Sequence, residues 1–491
     1  MKKYFNKKDV ITFIVIFIIA SMTLIGYFPM HYATDTYNII NIGYEEYMMN
    51  FSLKDGRPIM ALIVYLAGVI NIPIEIWILT LLVISIIISC LAVMTLKNIV
   101  LSYKPAKNKW AEIIVLIISY CTIFNFTYLE NLYFAEGAVM ALSILAYILS
   151  AKNTIKKHYV KAVLWGILGV MLYQGTIGIL AIMAVLFTFL ENKDSEKFIR
   201  KVILDLIKTI VIMLFIGILN LVIIKGICSI TGMTGDRTQD ISGIINNIKY
   251  IFNNYIIVIT NTGGMLASGS FVKLLLITSV SATILFIIYS KKPVENLIQV
   301  FLIIIVAIAS GFIASAMSLT GYHSARIRFT IGAVIGIIFI HMYCKSELFE
   351  NTKSLEIIFS GIVIIYTIIN MYTYISITLQ HRKTNEFEKY EANQIESVIE
   401  NYEENNNIKV DKICIVKKAE NNQIIPEAKN RCVPTFIATR CEWGVAGTLQ
   451  YYEDRILTKA EADSLEYQEF LLSGEQYKCI GETLYVNVSV Y

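Results

Sequence analysis

The sequence predicts a polytopic α-helical membrane protein that ends in a small extracytoplasmic domain of α+β or mostly β fold. Hydrophobic residues make up 56% of the 491 residues and charged residues only 16%, whereas a soluble domain has roughly 25% charged residues. Apolar runs long enough to cross a bilayer recur between residues 10 and 378, and the chain turns polar from His381 onward. We therefore expect a multi-span transmembrane domain over residues 1–380 and a soluble domain over residues 381–491.

The first apolar run, residues 10–28, follows four lysines. Because cytoplasmic segments are enriched in lysine and arginine, the N-terminus is predicted to be cytoplasmic. No small-residue cleavage site follows the run, which therefore predicts a retained span and not a signal peptide. The polar stretch at 31–57 is rich in aromatic residues and methionine, and it predicts short amphipathic helices at the outer interface.

Further apolar runs bring the predicted total to about 10–12 spans. Residues 58–96 fit two spans, of which the first is short. Two full crossings there would place the lysine-rich residues 97–109 outside, so either 58–72 does not cross or the positive-inside rule fails at this linker. The run at 162–190 is too long for one helix and contains Gln174, which predicts a broken helix or hairpin with its tip outside. The remaining predicted spans are 111–128, 132–151, 202–224, 274–290, 297–319, 329–344 and 355–378.

The polar tail contains short β-like runs at 413–416 and 484–490, which predict its α+β or mostly β fold. The acidic stretch at 386–404 is interpreted as a solvated helix face. Counting spans from the last basic linker places the tail outside. The tail has four cysteines, which could form disulfides in an oxidising compartment or remain free thiols. They are Cys414, Cys432, Cys441 and Cys479.

Composition and motifs exclude several classes of function. The net charge is only +4, so no nucleic-acid partner is expected. Nothing in the sequence matches a Walker A loop, a dinucleotide-binding glycine motif, an HExxH helix or a GxSxG elbow. The eight cysteines form no CxxC pair. We therefore expect no metal site, no cofactor and no nucleotide-driven pump.

Ionisable and polar residues at the predicted outer membrane edge are the functional candidates, because charge near hydrocarbon is costly. A carboxylate there could act as general base on a sugar hydroxyl, and the arginine fork suits a phosphate or pyrophosphate. Each candidate also has a structural interpretation, as a helix cap or dipole partner for the acids and as an interfacial anchor for the arginines. The catalytic candidates are Asp35, Glu130 and Glu136, and the substrate-binding candidates are Arg57, Tyr173, Gln174, His323, Arg326 and Arg328.

Three short segments, in this order, resemble the serotype-converting glucosyltransferases of the Gtr type II group. They are Asp55-Gly56-Arg57-Pro58 after the outer loop with Asp35, FTYLENLYFAEGAVMA at 126–141, and Leu172-Tyr173-Gln174-Gly175 in the broken span. The resemblance covers roughly residues 10–380 and does not extend to the tail. It departs from the family pattern at Glu136, where Asp is expected.

The resemblance implies a GT-C-like integral membrane enzyme of the bacterial cytoplasmic membrane. Such enzymes move a hexose, here expected to be glucose, from a polyprenyl-phosphate carrier to a surface glycan on the outer face. In that scheme Asp35 is the general base, with Glu130 or Glu136 as the backup. In the same scheme Arg57, Arg326 and Arg328 bind the donor phosphate. Tyr173 and Gln174 line the sugar site.

Three other functions remain open. A surface polysaccharide polymerase or ligase with a lipid-diphosphate donor would also place arginines outside, and the loop at 225–273 offers Asp236 and Arg237. A lipid or sugar transporter typically has paired repeats and broken helices at the midplane, whereas this sequence shows one broken span and keeps its charges at the edge. A non-catalytic scaffold for the tail is the third alternative.

Overall fold

The computed structural model consists of α-helices and one small sheet. The predicted span at 274–290 is described only in part, at residues 277, 280–284 and 286–288. The described residues are 7–28, 31–191, 198–232, 241–253, 277, 280–284, 286–288, 292–317, 324–345, 353–418, 437–461 and 464–489.

The helices before Tyr173 are α1 (Lys7–Thr23), α2 (Thr34–Tyr47), α3 (Pro58–Val69), α4 (Ile74–Tyr103), α5 (Lys109–Ile123), α6 (Leu129–Tyr133), α7 (Gly137–Ile155) and α8 (Tyr159–Leu172). A π-helix, Met48–Leu53, follows α2. The helices after Tyr173 are α9 (Gly178–Glu191), α10 (Phe198–Thr231), α11 (Ile241–Asn253), α12 (Pro293–Gly311), α13 (Ile313–Met317), α14 (Phe329–Lys345) and α15 (Lys353–Asn406). Apolar side chains of α4, α5, α7, α9 and α14 form the main buried core.

Six of the described helical segments are long and apolar enough to cross a membrane, which agrees with a helical membrane protein. They are Ile74–Tyr103, Gly137–Ile155, Gln174–Glu191, Arg200–Thr231, Pro293–Met317 and Lys353–Asn406. This number is below the predicted total because several predicted spans form helices of 17 residues or fewer. The shorter helices are α1, α5, α8 and α14.

Helix α3 does not cross the bundle. Its 12 residues extend about 18 Å at 1.5 Å per residue, well short of a hydrocarbon core of about 30 Å. The C-terminal end of the 58–72 segment stays beside α2, because the Tyr44 hydroxyl donates to the Ile72 carbonyl at 2.9 Å and the Tyr44 ring meets Trp77 edge-on.

The far end of α4 lies beside the beginning of α1. Buried Lys97 donates to Glu112 at 2.9 Å, and Lys8 binds the same carboxylate. The lysine-rich linker at 97–109 therefore begins at the same end of the bundle as Lys8. Of the two explanations that the sequence left open, the structure favours the one in which 58–72 does not cross.

The predicted break in the 162–190 run is confirmed. Helix α8 ends at Leu172, Tyr173 is extended with φ −158°, and a 3-10 turn at Gln174–Thr176 leads into α9. The amide nitrogen of Gln174 donates to the carbonyls of Asp55 and Gly56 at 2.8 and 2.7 Å. The tip of the broken helix therefore meets the corner that opens α3.

The tail is built around the end of one long helix and a four-stranded sheet. Helix α15 has 54 residues and runs without interruption through the predicted domain boundary at residue 380. The sheet order is β2-β1-β4-β3, with β1 parallel to both β2 and β4, and β3 antiparallel to β4. The fold of the tail is thus α+β. The elements are β1 (Lys412–Lys418), α16 (Val445–Glu453), β2 (Thr458–Lys459), α17 (Ser464–Ser473), β3 (Tyr477–Ile480) and β4 (Thr483–Ser489).

The tail cysteines that the structure describes are free thiols. They are Cys414, Cys441 and Cys479, and Cys432 lies outside the described residues.

The interpretation of 386–404 as a solvated helix face is wrong for two of its acids. Glu388 and Glu391 are only 1% and 4% exposed. Glu388 accepts a hydrogen bond from the Ala438 backbone N–H at 2.7 Å. Arg440 binds Glu391 through Nε at 2.9 Å and Nη2 at 2.7 Å. The segment around 438–440 covers this face of α15, a long-range contact that the local acidic pattern does not reveal.

Helix α16 packs closely on α2. A Cβ atom on Gly447 would lie 1.9 Å from the carbonyl oxygen of Tyr37, so only glycine permits this approach. The hydroxyls of Tyr451 and Tyr452 bond those of Tyr32 and Tyr37 at 2.7 and 2.9 Å. The tail therefore rests on the helix that carries Asp35.

We predict that Gly447→Ala loosens the tail, because the new methyl group would collide with the α2 backbone. Overpacking of this kind costs about 1–3 kcal/mol. The melting temperature of the purified chain should fall, and protease should cleave the tail faster. Gly361→Ala in α15 is the matched control, since a Cβ there meets nothing within 4 Å. Equal melting of both variants would contradict the packing described here.

Glu388 gives the tail a predicted pH dependence. It lies well past the apolar part of α15, and burial raises its pKa from 4.5 to about 7. Because the folded state keeps this proton to a higher pH than the unfolded state, stability falls as the pH rises through that interval. Glu388→Gln should flatten the fall in melting temperature between pH 5 and pH 7, whereas the exposed control Glu404→Gln should keep the wild-type slope. An unchanged slope in Glu388→Gln would refute this assignment.

Candidate functional site

Acidic and arginine side chains from five chain segments meet at the end of the bundle that the tail covers. Asp35, Arg57 and Arg326 all act electrostatically on Glu136, and Arg57 also acts on Tyr173. Glu130 joins them through its contact with Arg326. We call this group the acid–arginine cluster. Its members are Asp35, Arg57, Glu130, Glu136, Tyr173 and Arg326.

Asp35 is the most accessible acid of the cluster. It lies in the first turn of α2, where the helix dipole favours a negative charge, and it is half-buried. The indole Nε1 of Trp443 donates to its Oδ1 at 3.1 Å. The tail thus supplies a hydrogen-bond donor that orients this carboxylate.

Glu136 is buried immediately before α7 and accepts a hydrogen bond from the Tyr47 hydroxyl. Burial raises the pKa of Glu136, and the negative charge of Asp35 raises it further. Glu136 therefore keeps a proton more readily than an ordinary glutamate. A buried carboxyl with a raised pKa is a candidate for proton transfer.

Glu130 holds the turn that carries Arg326. Its Oε2 accepts from the Arg326 backbone N–H at 2.7 Å, and its Oε1 lies 3.8 Å from the guanidinium Nε. The guanidinium also lies over the Phe134 ring at 4.1 Å. Burial raises the pKa of Glu130 as well. These contacts show Glu130 positioning Arg326, and they leave Asp35 and Glu136 as the candidates for proton transfer.

Arg57 is held in place by a rigid corner. Its Nη2 pairs with Asp55 at 3.3 Å, and its guanidinium lies 5.0 Å from the centre of the Tyr173 ring. Gly56 forms the corner with φ +76°, a conformation that favours glycine. Because the amide nitrogen of Gln174 binds the corner carbonyls, Gln174 helps to position Arg57. Sugar binding by Gln174 stays a prediction.

Of the remaining sequence candidates, the structure describes Arg328 alone. Arg328 is only 2% exposed, with its guanidinium 6.0 Å from the Phe312 ring centre, so a phosphate would reach it only after a rearrangement. His323 lies outside the described residues, as do Asp236 and Arg237.

Three aromatic residues at the cluster were missed by sequence reasoning. Tyr47 is one of many aromatic residues in the stretch at 31–57, and Phe134 lies within the segment 126–141 that carries the family resemblance. Trp443 is the one tryptophan in the tail, which is the signal that could have drawn attention to it. The hydrogen bond from Trp443 to Asp35 spans 408 positions of sequence, so no local pattern could reveal it.

In the part of the chain that the structure describes, no group of three or more His, Cys, Asp or Glu side chains could hold a metal ion. Comparison with protein-family models, curated proteins and solved structures finds no match.

We predict that Gln174→Ala weakens the corner below Arg57. The change removes two hydrogen bonds to backbone carbonyls, each worth about 1 kcal/mol. Thermal unfolding should show a melting temperature lower by about 2 °C or more. The control Gln394→Ala removes an exposed hydrogen bond to the Tyr390 hydroxyl and should leave melting unchanged. If the two variants melt alike, Gln174 does not hold the corner.

Proposed function

We propose that this chain is an integral membrane glycosyltransferase. It moves a hexose, with glucose as the expected sugar, from a polyprenyl-phosphate carrier to a surface glycan on the outer face of the bacterial cytoplasmic membrane. The observation that supports this most is that an accessible carboxylate, Asp35, shares one cluster with two held arginines, Arg57 and Arg326. Transfer from a sugar phosphate needs both a base and a phosphate-binding site.

The division of roles follows from exposure and partners. Asp35 takes the proton of the acceptor hydroxyl, whose oxygen forms the new bond to the anomeric carbon. The bond between that carbon and the phosphate oxygen breaks, and the carrier phosphate leaves with the bonding electrons. Arg57 and Arg326 neutralise the departing phosphate, because guanidinium forks bind phosphate oxygens in pairs.

The supporting residues set the charge of the site. Arg57 is paired with Asp55 and Arg326 with Glu130, so both cations are fixed before substrate binds. The raised pKa of Glu136 limits the negative charge beside Asp35, which favours entry of an anionic donor. Tyr173, buried under Arg57, keeps that guanidinium in place.

The sidedness of this scheme is part of the proposal. The cluster lies at the opposite end of α1 and α4 from Lys8, which contacts Glu112 together with Lys97. A cytoplasmic N-terminus then puts the cluster and the tail on the outer face, where a polyprenyl-phosphate donor and a surface glycan would meet.

The test is Asp35→Asn, which keeps the shape of the side chain but removes the base. We expect the transfer rate to fall about 100-fold or more. The rate is measured in membrane vesicles with labelled polyprenyl-phosphate glucose and the surface glycan of a strain that lacks the gene. Glu45→Gln on the exposed side of α2 is the matched control and should transfer at the wild-type rate.

A wild-type rate in Asp35→Asn would move the base to Glu136. The surface glycan of the strain that lacks the gene also distinguishes the alternative functions. If the chain is a transferase, this glycan should lack a hexose substituent that the wild-type glycan carries. A change in polysaccharide chain length instead would favour a polymerase or ligase, and an unchanged glycan would favour a transporter or scaffold.

A further inference from the structure

The tail reaches the acid–arginine cluster through Trp443. This residue lies between the 3-10 turn Ala438–Arg440 and α16. Its indole N–H donates to Asp35 at 3.1 Å, yet 41% of the residue is exposed. The polar edge of the ring is thus engaged with the proposed base, and part of its apolar surface is open to solvent.

The position of Trp443 is fixed from two directions. On the α15 side, Glu388 and Glu391 bind Ala438 and Arg440, a few residues before Trp443. On the α2 side, Gly447 brings the α16 backbone against that of Tyr37. Together these two anchors hold the indole beside Asp35.

An exposed aromatic ring beside a carboxylate suits one kind of ligand. A pyranose has an apolar face of C–H groups and a polar edge of hydroxyls. Stacking of the apolar face on an indole is favourable through burial and weak C–H contacts with the ring. It would leave the hydroxyls at the edge of the sugar directed toward the acid that the indole contacts.

We propose that Trp443 forms the acceptor-sugar subsite, by stacking on a pyranose of the surface glycan while it orients Asp35. This rests on the proposed transferase function. The acceptor is the partner that fits, because Asp35 serves the acceptor hydroxyl, whereas the donor phosphate belongs to Arg57 and Arg326. Trp443 is thereby both a binding residue and a positioning residue.

Two substitutions separate these roles. Trp443→Gln keeps an N–H donor for Asp35 but removes the ring, and Trp443→Phe keeps a ring but removes the donor. Trp110 is the matched control, because it is 43% exposed and its indole donates to the Ser360 hydroxyl at 3.3 Å. Trp110 receives the same two substitutions.

The experiment uses the full chain in lipid nanodiscs. The probe is the set of oligosaccharides released by mild acid from the surface glycan of a strain that lacks the gene. Binding is measured by isothermal titration calorimetry, and transfer kinetics are measured with labelled polyprenyl-phosphate glucose. We expect Trp443→Gln to weaken binding and raise the acceptor KM about tenfold or more. Trp443→Phe should bind within about threefold of wild type but show a lower kcat. Both Trp110 variants should match wild type.

Wild-type binding by Trp443→Gln would overturn the subsite. An equal loss of binding in the Gln and Phe variants would also overturn it, because the retained ring should be sufficient for stacking. If the wild-type chain itself neither binds the oligosaccharides nor transfers sugar, the proposed function fails, and this outcome is distinct from the other two.

Discussion

The anchoring of residues 438–440 on α15 is the interaction on which the rest of the site depends. Glu388 and Glu391 are buried, and a buried carboxylate without a partner is strongly destabilising. The Ala438 N–H and the Arg440 fork satisfy them. Because this segment is fixed, α16 begins beside α2 and its Gly447 packs against the backbone of Tyr37. Trp443 then lies within hydrogen-bond distance of Asp35. The tail thus forms one side of the cluster, since its Trp443 contacts Asp35.

Each charged side chain of the cluster has its own partner. Each arginine has its own acid, since Arg57 pairs with Asp55 and Arg326 with Glu130. The remaining two acids are served by aromatic donors, Asp35 by Trp443 and Glu136 by Tyr47. An incoming phosphate would therefore compete with carboxylates for preformed guanidinium forks. Fixed cations of this kind bind an anion without a large cost of ordering side chains.

Much of the local architecture could be predicted from the sequence. The apolar run at 162–190 exceeded one helix and contained Gln174, and the chain does break there. Asp35, Arg57 and Glu136 were grouped because polar residues at one membrane edge are costly, and the structure brings them together. These predictions needed only residues that are near in sequence or share a side of the membrane.

The features that the sequence did not reveal depend on contacts between distant parts of the chain. The acids at 388 and 391 resembled a solvated face because the segment that covers them follows some fifty residues later. Trp443 lies 408 positions from its partner Asp35. Arg328 resembled Arg326 in sequence, yet it is buried against Phe312. Composition and spacing carry no information on such packing.

In the function that we propose, the cluster catalyses transfer of a sugar from a lipid phosphate to a glycan. The most direct measurement places the purified wild-type chain in proteoliposomes with labelled polyprenyl-phosphate glucose and the acceptor glycan. The account predicts that label enters the glycan in step with the release of polyprenyl phosphate. Movement of intact labelled donor across the bilayer, with no new glycosidic bond, would contradict it.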